Sequence, residues 1–153
     1  MIPTARAVKR PESVLVVIHT GAGQVLLMER ADHQSFWQSV TGSLEAEDQD
    51  LLRAAQREVR EETGLAPETG WRNWERVQEF EILPQWRYRY APDVRRNREH
   101  MFSLEVPPDS VVTLNPREHR QYGWWLHIEA AARCTSWSNR QAIEWVAAAY
   151  GWR

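Results

Sequence analysis

Apolar and polar positions fall into short segments with strand-like patterning, joined by three stretches with helical spacing. Ser13-Val14-Leu15-Val16-Val17-Ile18 is an apolar run rich in β-branched residues and predicts a buried strand. Thr20-Gly21-Ala22-Gly23 marks a turn, and residues 24–30 read as the returning strand of a hairpin. After a polar loop over 31–35, residues 36–40 predict a short strand that ends at Thr41-Gly42. Residues 48–63 carry Leu51, Leu52, Ala55 and Val59 on one helical stripe, with Gly64 placed as the C-terminal cap. Strands are expected around 74–82, 86–90 and 99–106, separated by Pro84 and by Ala91-Pro92, and again around 122–126. Two helices close the chain, about 127–133 and 138–149, the second entered through a Ser138-x-x-Gln141 capping box. Strands, one internal helix, more strands and terminal helices predict an α+β sandwich rather than a doubly wound sheet.

Composition narrows the function classes. The 153 residues predict one domain spanning 1–153, and 42% apolar with 26% charged residues is the balance of a soluble globular protein. No run approaches the ~18 apolar residues of a membrane span. Residues 1–6 lack the apolar stretch of a signal peptide, and Cys134 is the only cysteine. Together these features lead us to expect a cytoplasmic protein without a membrane partner. A net charge of −2 disfavours a general nucleic-acid binder. Lys9 is the only lysine among 19 basic residues, the rest being arginine. Arginine offers a planar fork suited to phosphate, although a compositional habit of the genome would give the same bias. Oligomeric state is not legible here.

The chemistry concentrates in Arg57-Glu58-Val59-Arg60-Glu61-Glu62-Thr63-Gly64-Leu65. On a helix, Glu58, Glu61 and Glu62 lie within roughly a 100° arc. Like charges so close repel one another. A hard divalent cation among them would reverse that cost, and oxygen-rich sites suit magnesium, manganese or calcium. Arg57 stands four residues before Glu61 and is placed to fix the rotamer of a metal-holding glutamate. The competing reading is a solvated charged face laced by such pairs.

The segment from Gly42 through Leu65 resembles the Nudix box. That pattern is Gly, five residues, Glu, seven residues, Arg-Glu, an aliphatic residue, any residue, Glu-Glu, any residue, Gly, and an aliphatic residue. Arg57, Glu58, Val59, Glu61, Glu62, Gly64 and Leu65 match its second half at every specified position. The first half departs from it, with fourteen residues between Gly42 and Arg57 where the pattern has thirteen. The leading acid is thereby ambiguous among Glu47, Asp48 and the displaced Gln49. The resemblance implies a Nudix-like α/β/α sandwich around a central mixed sheet. It also implies hydrolysis of a nucleoside diphosphate linked to another moiety, with Mg²⁺, or Mn²⁺ in its place. On this reading Glu58, Glu61 and Glu62 hold metal, and a glutamate takes the proton of the attacking water. Glu118, in the later loop, resembles the acid that some Nudix enzymes bring to the metal, and is expected to share both roles. His119, beside it, reads as a solvated loop histidine.

Further segments resemble one Nudix subfamily, the dihydroneopterin triphosphate pyrophosphatases of bacterial folate synthesis. They include Lys9-Arg10-Pro11, Phe36 to Ser43, Glu79 to Ile82, Arg89 to Pro92, Arg96-Asn97 and Ser136 to Glu144, within about residues 9–146. The implied reaction cuts 7,8-dihydroneopterin triphosphate between the α and β phosphorus atoms, giving the monophosphate and pyrophosphate. A flat, polar-edged ring needs an aromatic face and edge partners. Trp37 is the candidate for stacking, and Ser138, Asn139 and Arg140 for the edge or for phosphate. Lys9 and Arg30 are candidate phosphate partners, with Arg10, Arg87 and Arg89 behind them. Two alternatives stand beside this substrate. The same machinery would suit dATP or oxidised purine nucleoside triphosphates. A non-catalytic nucleotide- or RNA-binding module would keep the fold, though such a module has no need of three clustered carboxylates.

Overall fold

The computed structural model describes residues 8–153, so the N-terminal stretch read above for a signal peptide lies outside the described residues. The chain runs β1 (Glu12–His19), β2 (Gln24–Arg30), β3 (Trp37–Gln38), β4 (Val40–Ser43), α1 (Leu51–Thr63), β5 (Trp71–Glu81), a 3₁₀ helix (Pro84–Arg89), β6 (Arg96–Glu105), β7 (His119–Leu126), α2 (His127–Arg133) and α3 (Trp137–Tyr150). The strands form a mixed sheet of order β3-β2-β1-β6-β5, with β4 on β1 and β7 on β2. β1 and β6 pair in parallel along their length, from Glu12↔Arg98 to His19↔Glu105.

The continuous apolar run of β1 has its reason in this position, because both of its faces are covered. Val14, Val16 and Ile18 pack toward α1 with Ala54, Ala55 and Val59. Leu15 and Val17 pack toward α2 and α3 with Ala130, Ile143 and Val146. This is the Nudix-like α+β arrangement expected, a mixed sheet between helices.

The β1–β2 hairpin opens into a fork. Its strands pair at the root, His19↔Val25, and then separate. Beyond that point β1 pairs with β4 from Ser13↔Ser43 to Val16↔Val40, while β2 pairs with β3 at Met28↔Gln38 and Glu29↔Trp37. The β3–β4 segment thus fills the gap, with Ser39 between the two strands. This split in the sheet creates the depression in which the polar residues gather.

Three local expectations are corrected. Residues 84–89 form a 3₁₀ helix rather than a strand at 86–90, because Pro84 at its first position fixes a helical φ and offers no strand donor. α1 starts at Leu51 rather than 48, since Asp50 accepts from the Arg53 N–H as N-cap. The N-cap of α3 is Ser136, which accepts from Asn139 N, so Ser138 lies inside the first turn. Gly64 caps α1 as expected, with φ 75° and its N–H on the Arg60 carbonyl. Among the described residues, no helix is long and apolar enough to cross a membrane.

Candidate active site

The fork forms a cleft of about 950 Å³ that reaches from the acidic edge of α1 to the first turn of α3. Gly42 on β4 lets α1 come close: a Cβ at this position would overlap the carboxyl of Glu58. Glu62, one turn on, is 1% exposed, and neither of its oxygens has a well-formed hydrogen bond. Burial holds its carboxyl well above the usual range, and Glu58 and Glu118 push it further in the same direction. Burial raises Glu58 as well. Glu61 stands at the rim with its side chain 49% exposed.

Across the cleft, Glu118 and His119 lead into β7. Ligating atoms of Glu62, Glu118 and His119 all lie within 4.8 Å of one another, with His119 Nε2 3.8 Å from Glu62 Oε1. His119 corrects the expectation of a solvated loop residue. It is 2% exposed, and its Nε2 lies 3.1 Å from the Gln38 amide nitrogen. Burial, followed by the nearby Arg30 charge, pushes its pKa down to about 4, so the ring is neutral. It therefore offers no positive charge to Glu62. The nearest polar partners of Glu62 are the Glu58 carboxyl and the Thr41 backbone, neither of which carries a positive charge. A buried carboxyl without a counter-charge costs several kcal/mol, and a cation would supply what is missing. Carboxylates converging in this way fit a hard divalent ion such as Mg²⁺ or Mn²⁺.

Arg57 sits at the centre of an acidic ring. Its Nη2 donates to Asp48 Oδ2 at 2.9 Å and its Nη1 to Glu58 Oε1 at 3.0 Å. Glu45 Oε1 is 3.3 Å away and Glu61 Oε2 3.7 Å. The expected i,i+4 partner is thus the most distant of the four, and the helix-neighbouring Glu58 is held instead. Of Glu47, Asp48 and Gln49, Asp48 is the one that pairs with Arg57, and it also accepts from the Glu45 N–H at 2.7 Å. Glu47 is exposed at the edge of the cleft and makes no ion pair with Arg57. The loop over 44–50 takes up the extra residue.

The opposite rim is basic. Arg30 donates two hydrogen bonds of 2.7 Å to Asp32 and lies 4.6 Å over the Trp86 ring. Arg89 is 3.5 Å from Asp32, and the Lys9 N–H donates to the Arg89 carbonyl. Partial burial and then Arg89 and Arg30 hold the Lys9 ammonium below its usual range. Three cations with one carboxylate between them leave an excess of positive charge facing the cleft. Arg10 turns away to Glu12 and to loop carbonyls, and Arg87 to Glu81.

The structure separates the remaining expected residues. Successive strand residues face opposite ways, so Gln38 enters the cleft while Trp37 faces α2. There Trp37 packs edge-on against Trp125 at 5.2 Å, beside the Arg133 guanidinium. Aromatic side chains lining the cleft are instead Phe36, Phe80, Trp86, Tyr90 and Trp137. Ser138 and Asn139 reach the cleft. Asn139 spends both ends of its amide on Ser39, accepting from its N–H at 2.7 Å and donating to its Oγ at 2.9 Å. Arg140 lies outside it, donating to the Ala131 carbonyl in the groove between α2 and α3. The cleft also holds buried polar residues that patterning does not reveal: Gln38, Asn97 and Glu99. Their alternation along the strands is shared with any polar strand face, and only Gln38 and Asn97 fall within the subfamily-like segments named above.

The NUDIX domain family matches residues 9–146. The dihydroneopterin triphosphate diphosphatase of Escherichia coli (strain K12) is 45% identical over 140 residues, covering 89% of this chain and 91% of the relative. That of Haemophilus influenzae is 37% identical over 140 residues, covering 89% and 87%. The solved structure of the E. coli dihydroneopterin triphosphate pyrophosphohydrolase superposes with a TM-score of 0.84 at 43% identity, over 92% of this chain and 97% of that one. A C. elegans Ap4A hydrolase, 19% identical over 92% and 97% of the two chains, superposes with a TM-score of 0.66, a likeness of fold alone.

Proposed function

Because this chain belongs to the NUDIX domain family, and its acidic helix faces a basic rim across one cleft, we propose that it hydrolyses 7,8-dihydroneopterin triphosphate to the monophosphate and pyrophosphate. The observation that carries the catalytic part is Glu62, a buried carboxyl with no counter-charge, converging with Glu118 and His119. The choice of substrate is supported by relatives 37–45% identical over about nine-tenths of the chain, which are dihydroneopterin triphosphate diphosphatases.

Glu58, Glu62 and Glu118 would hold the divalent ion, with His119 beside them and Glu61 at the rim. When bound, Mg²⁺ or Mn²⁺ polarises phosphoryl oxygens and acidifies water. Lys9 and Arg30 bind the anionic chain, and Asp32 and Trp86 hold the Arg30 guanidinium in its plane. The oxygen of water adds to the α phosphorus, the bond to the α–β bridging oxygen breaks, and pyrophosphate leaves with that oxygen. The water proton passes to a carboxylate that solvent reaches. Within the cluster those are Glu61 and Glu118, because Glu58 and Glu62 are buried. Arg57 keeps Glu58 turned toward the cleft.

The test is a substrate panel with Mg²⁺ that identifies both products. Dihydroneopterin triphosphate is expected to give pyrophosphate with a kcat/KM at least ~10-fold above dATP, GTP and 8-oxo-dGTP, a gap of about 1.4 kcal/mol. A higher value for a purine triphosphate would move the assignment to the nucleotide pool. No pyrophosphate from any of them would leave a binding module. In parallel, Glu62→Gln is expected to lose calorimetric Mg²⁺ binding. Retained binding would take Glu62 out of the metal site.

A further inference from the structure

At the floor of the cleft, away from the acidic helix, β6 turns Asn97 and Glu99 to the same side of the sheet. Asn97 is 2% exposed and Glu99 5%, yet Asn97 Oδ1 and Glu99 Oε1 have no hydrogen-bond partner. The rest of each side chain is anchored. Asn97 Nδ2 donates to Ser13 Oγ at 2.8 Å, and the Ser138 hydroxyl hydrogen-bonds the Glu99 carboxyl. Gln78, paired with Glu99 across β5–β6, donates to the Ser138 carbonyl and ties α3 to this floor. Two acceptors are therefore fixed in place, two residues apart, with nothing to accept from. Phe80, Ile82, Leu83 and Trp137 line the same cleft and supply apolar surface for a flat ring.

Unsatisfied buried acceptors cost stability, and a site that keeps a pair of them is built for a ligand with a pair of donors. The geometry points to Glu99 and Asn97 as the residues that read the donor edge of a 2-amino-4-oxopyrimidine ring, its ring N–H and its exocyclic amine. This edge is common to reduced pterins and guanine. Adenine presents an acceptor nitrogen beside its amine and would set lone pair against lone pair. The inference rests on the proposed triphosphate reading, with the ring at the floor and the phosphates at the metal end. Burial pushes the Glu99 carboxyl up to about 7, as expected of a group short of donors.

Binding of phosphate-free probes tests this independently of hydrolysis. Tryptophan fluorescence or calorimetry would give Kd for 7,8-dihydroneopterin, guanosine and inosine, the last keeping the ring N–H but lacking the 2-amino group. The wild-type protein is expected to bind dihydroneopterin and guanosine at least ~10-fold more tightly than inosine, the scale of one paired donor set. Glu99→Met is expected to abolish that preference, and Glu99→Gln, which keeps one acceptor, to retain part of it. Asn97→Ala provides a second site with a loss in the same direction. Equal binding of guanosine and inosine by the wild type, or unchanged preference in Glu99→Met and Asn97→Ala, overturns the proposal. If the variants lose ring binding while the wild type cleaves no triphosphate, the edge reader stands and the hydrolase reading fails. If Glu99→Met cleaves dihydroneopterin triphosphate with wild-type kcat/KM, the hydrolase reading stands and the edge reader fails.

Discussion

Gly42 and Glu58 share one space: the carboxyl of Glu58 fills the position that a side chain at residue 42 would occupy. Gly42 has no positive φ, so its backbone does not require glycine; the carboxylate does. Gly42→Ala should leave the melting temperature nearly unchanged, because the end of a flexible side chain can move aside. It should lower kcat by roughly 100-fold, the typical cost of misplacing a catalytic group by about an ångström. Steady-state kinetics beside a thermal melt check this. Wild-type turnover in the alanine variant would mean that the position of Glu58 is unimportant.

Asp48, and not Glu47, holds Arg57 in place. Asp48→Asn should reduce kcat by roughly 10-fold, in the range for partners that orient metal-holding groups. Glu47→Gln should change nothing measurable. Comparing the two variants under saturating Mg²⁺ decides whether the longer loop has transferred this role to the aspartate.

The two tryptophans should separate stability from binding. Trp37 is half-buried against Trp125, so Trp37→Ala should destabilise by roughly 2–3 kcal/mol, at or just below the range for fully buried aromatic truncations, with KM unchanged. Trp86 carries the Arg30 guanidinium on its face, so Trp86→Ala should raise KM several-fold with little loss of stability. A KM effect at Trp37 would return it to the substrate.

Glu99 gives the protein a pH signature in the absence of metal. Its folded pKa of about 7 lies above the ordinary 4.5. The neutral form is favoured by folding, and that contribution is complete below about 4.5 and lost as pH rises through about 7. Glu99→Gln is permanently neutral. It should therefore gain on the wild type as pH rises, by up to about 3 kcal/mol at pH 7.5, with the advantage shrinking toward pH 4.5. Melting curves of both proteins across this range provide the check. A constant gap would mean that Glu99 does not titrate there.

What could be read in advance follows the range of the forces involved. β1, α1 and the terminal helices are set by local periodicity and caps, and each was legible within a residue or a few. The gathering of Glu58, Glu61 and Glu62 on one edge of α1 was legible because their spacing is itself the signal. The 3₁₀ helix at Pro84 was misread because the apolar and aromatic residues around it suit either geometry. Trp37 was misassigned because alternation shows that Trp37 and Gln38 diverge without showing which one faces the ligand. His119 and Glu99 depend on strand pairings dozens of residues away. Burial of a polar residue by distant chain leaves no trace in its own neighbourhood.

The pair of hydrogen bonds between Asn139 and Ser39 spans 100 positions of sequence. On the ribosome, the acidic helix and the central strands emerge long before residue 139 does. Until α3 arrives and fastens Ser39, one wall of the cleft is missing. A nascent chain therefore carries the acidic edge of α1 early, and completes the cleft only after Glu118, His119 and α3 have followed.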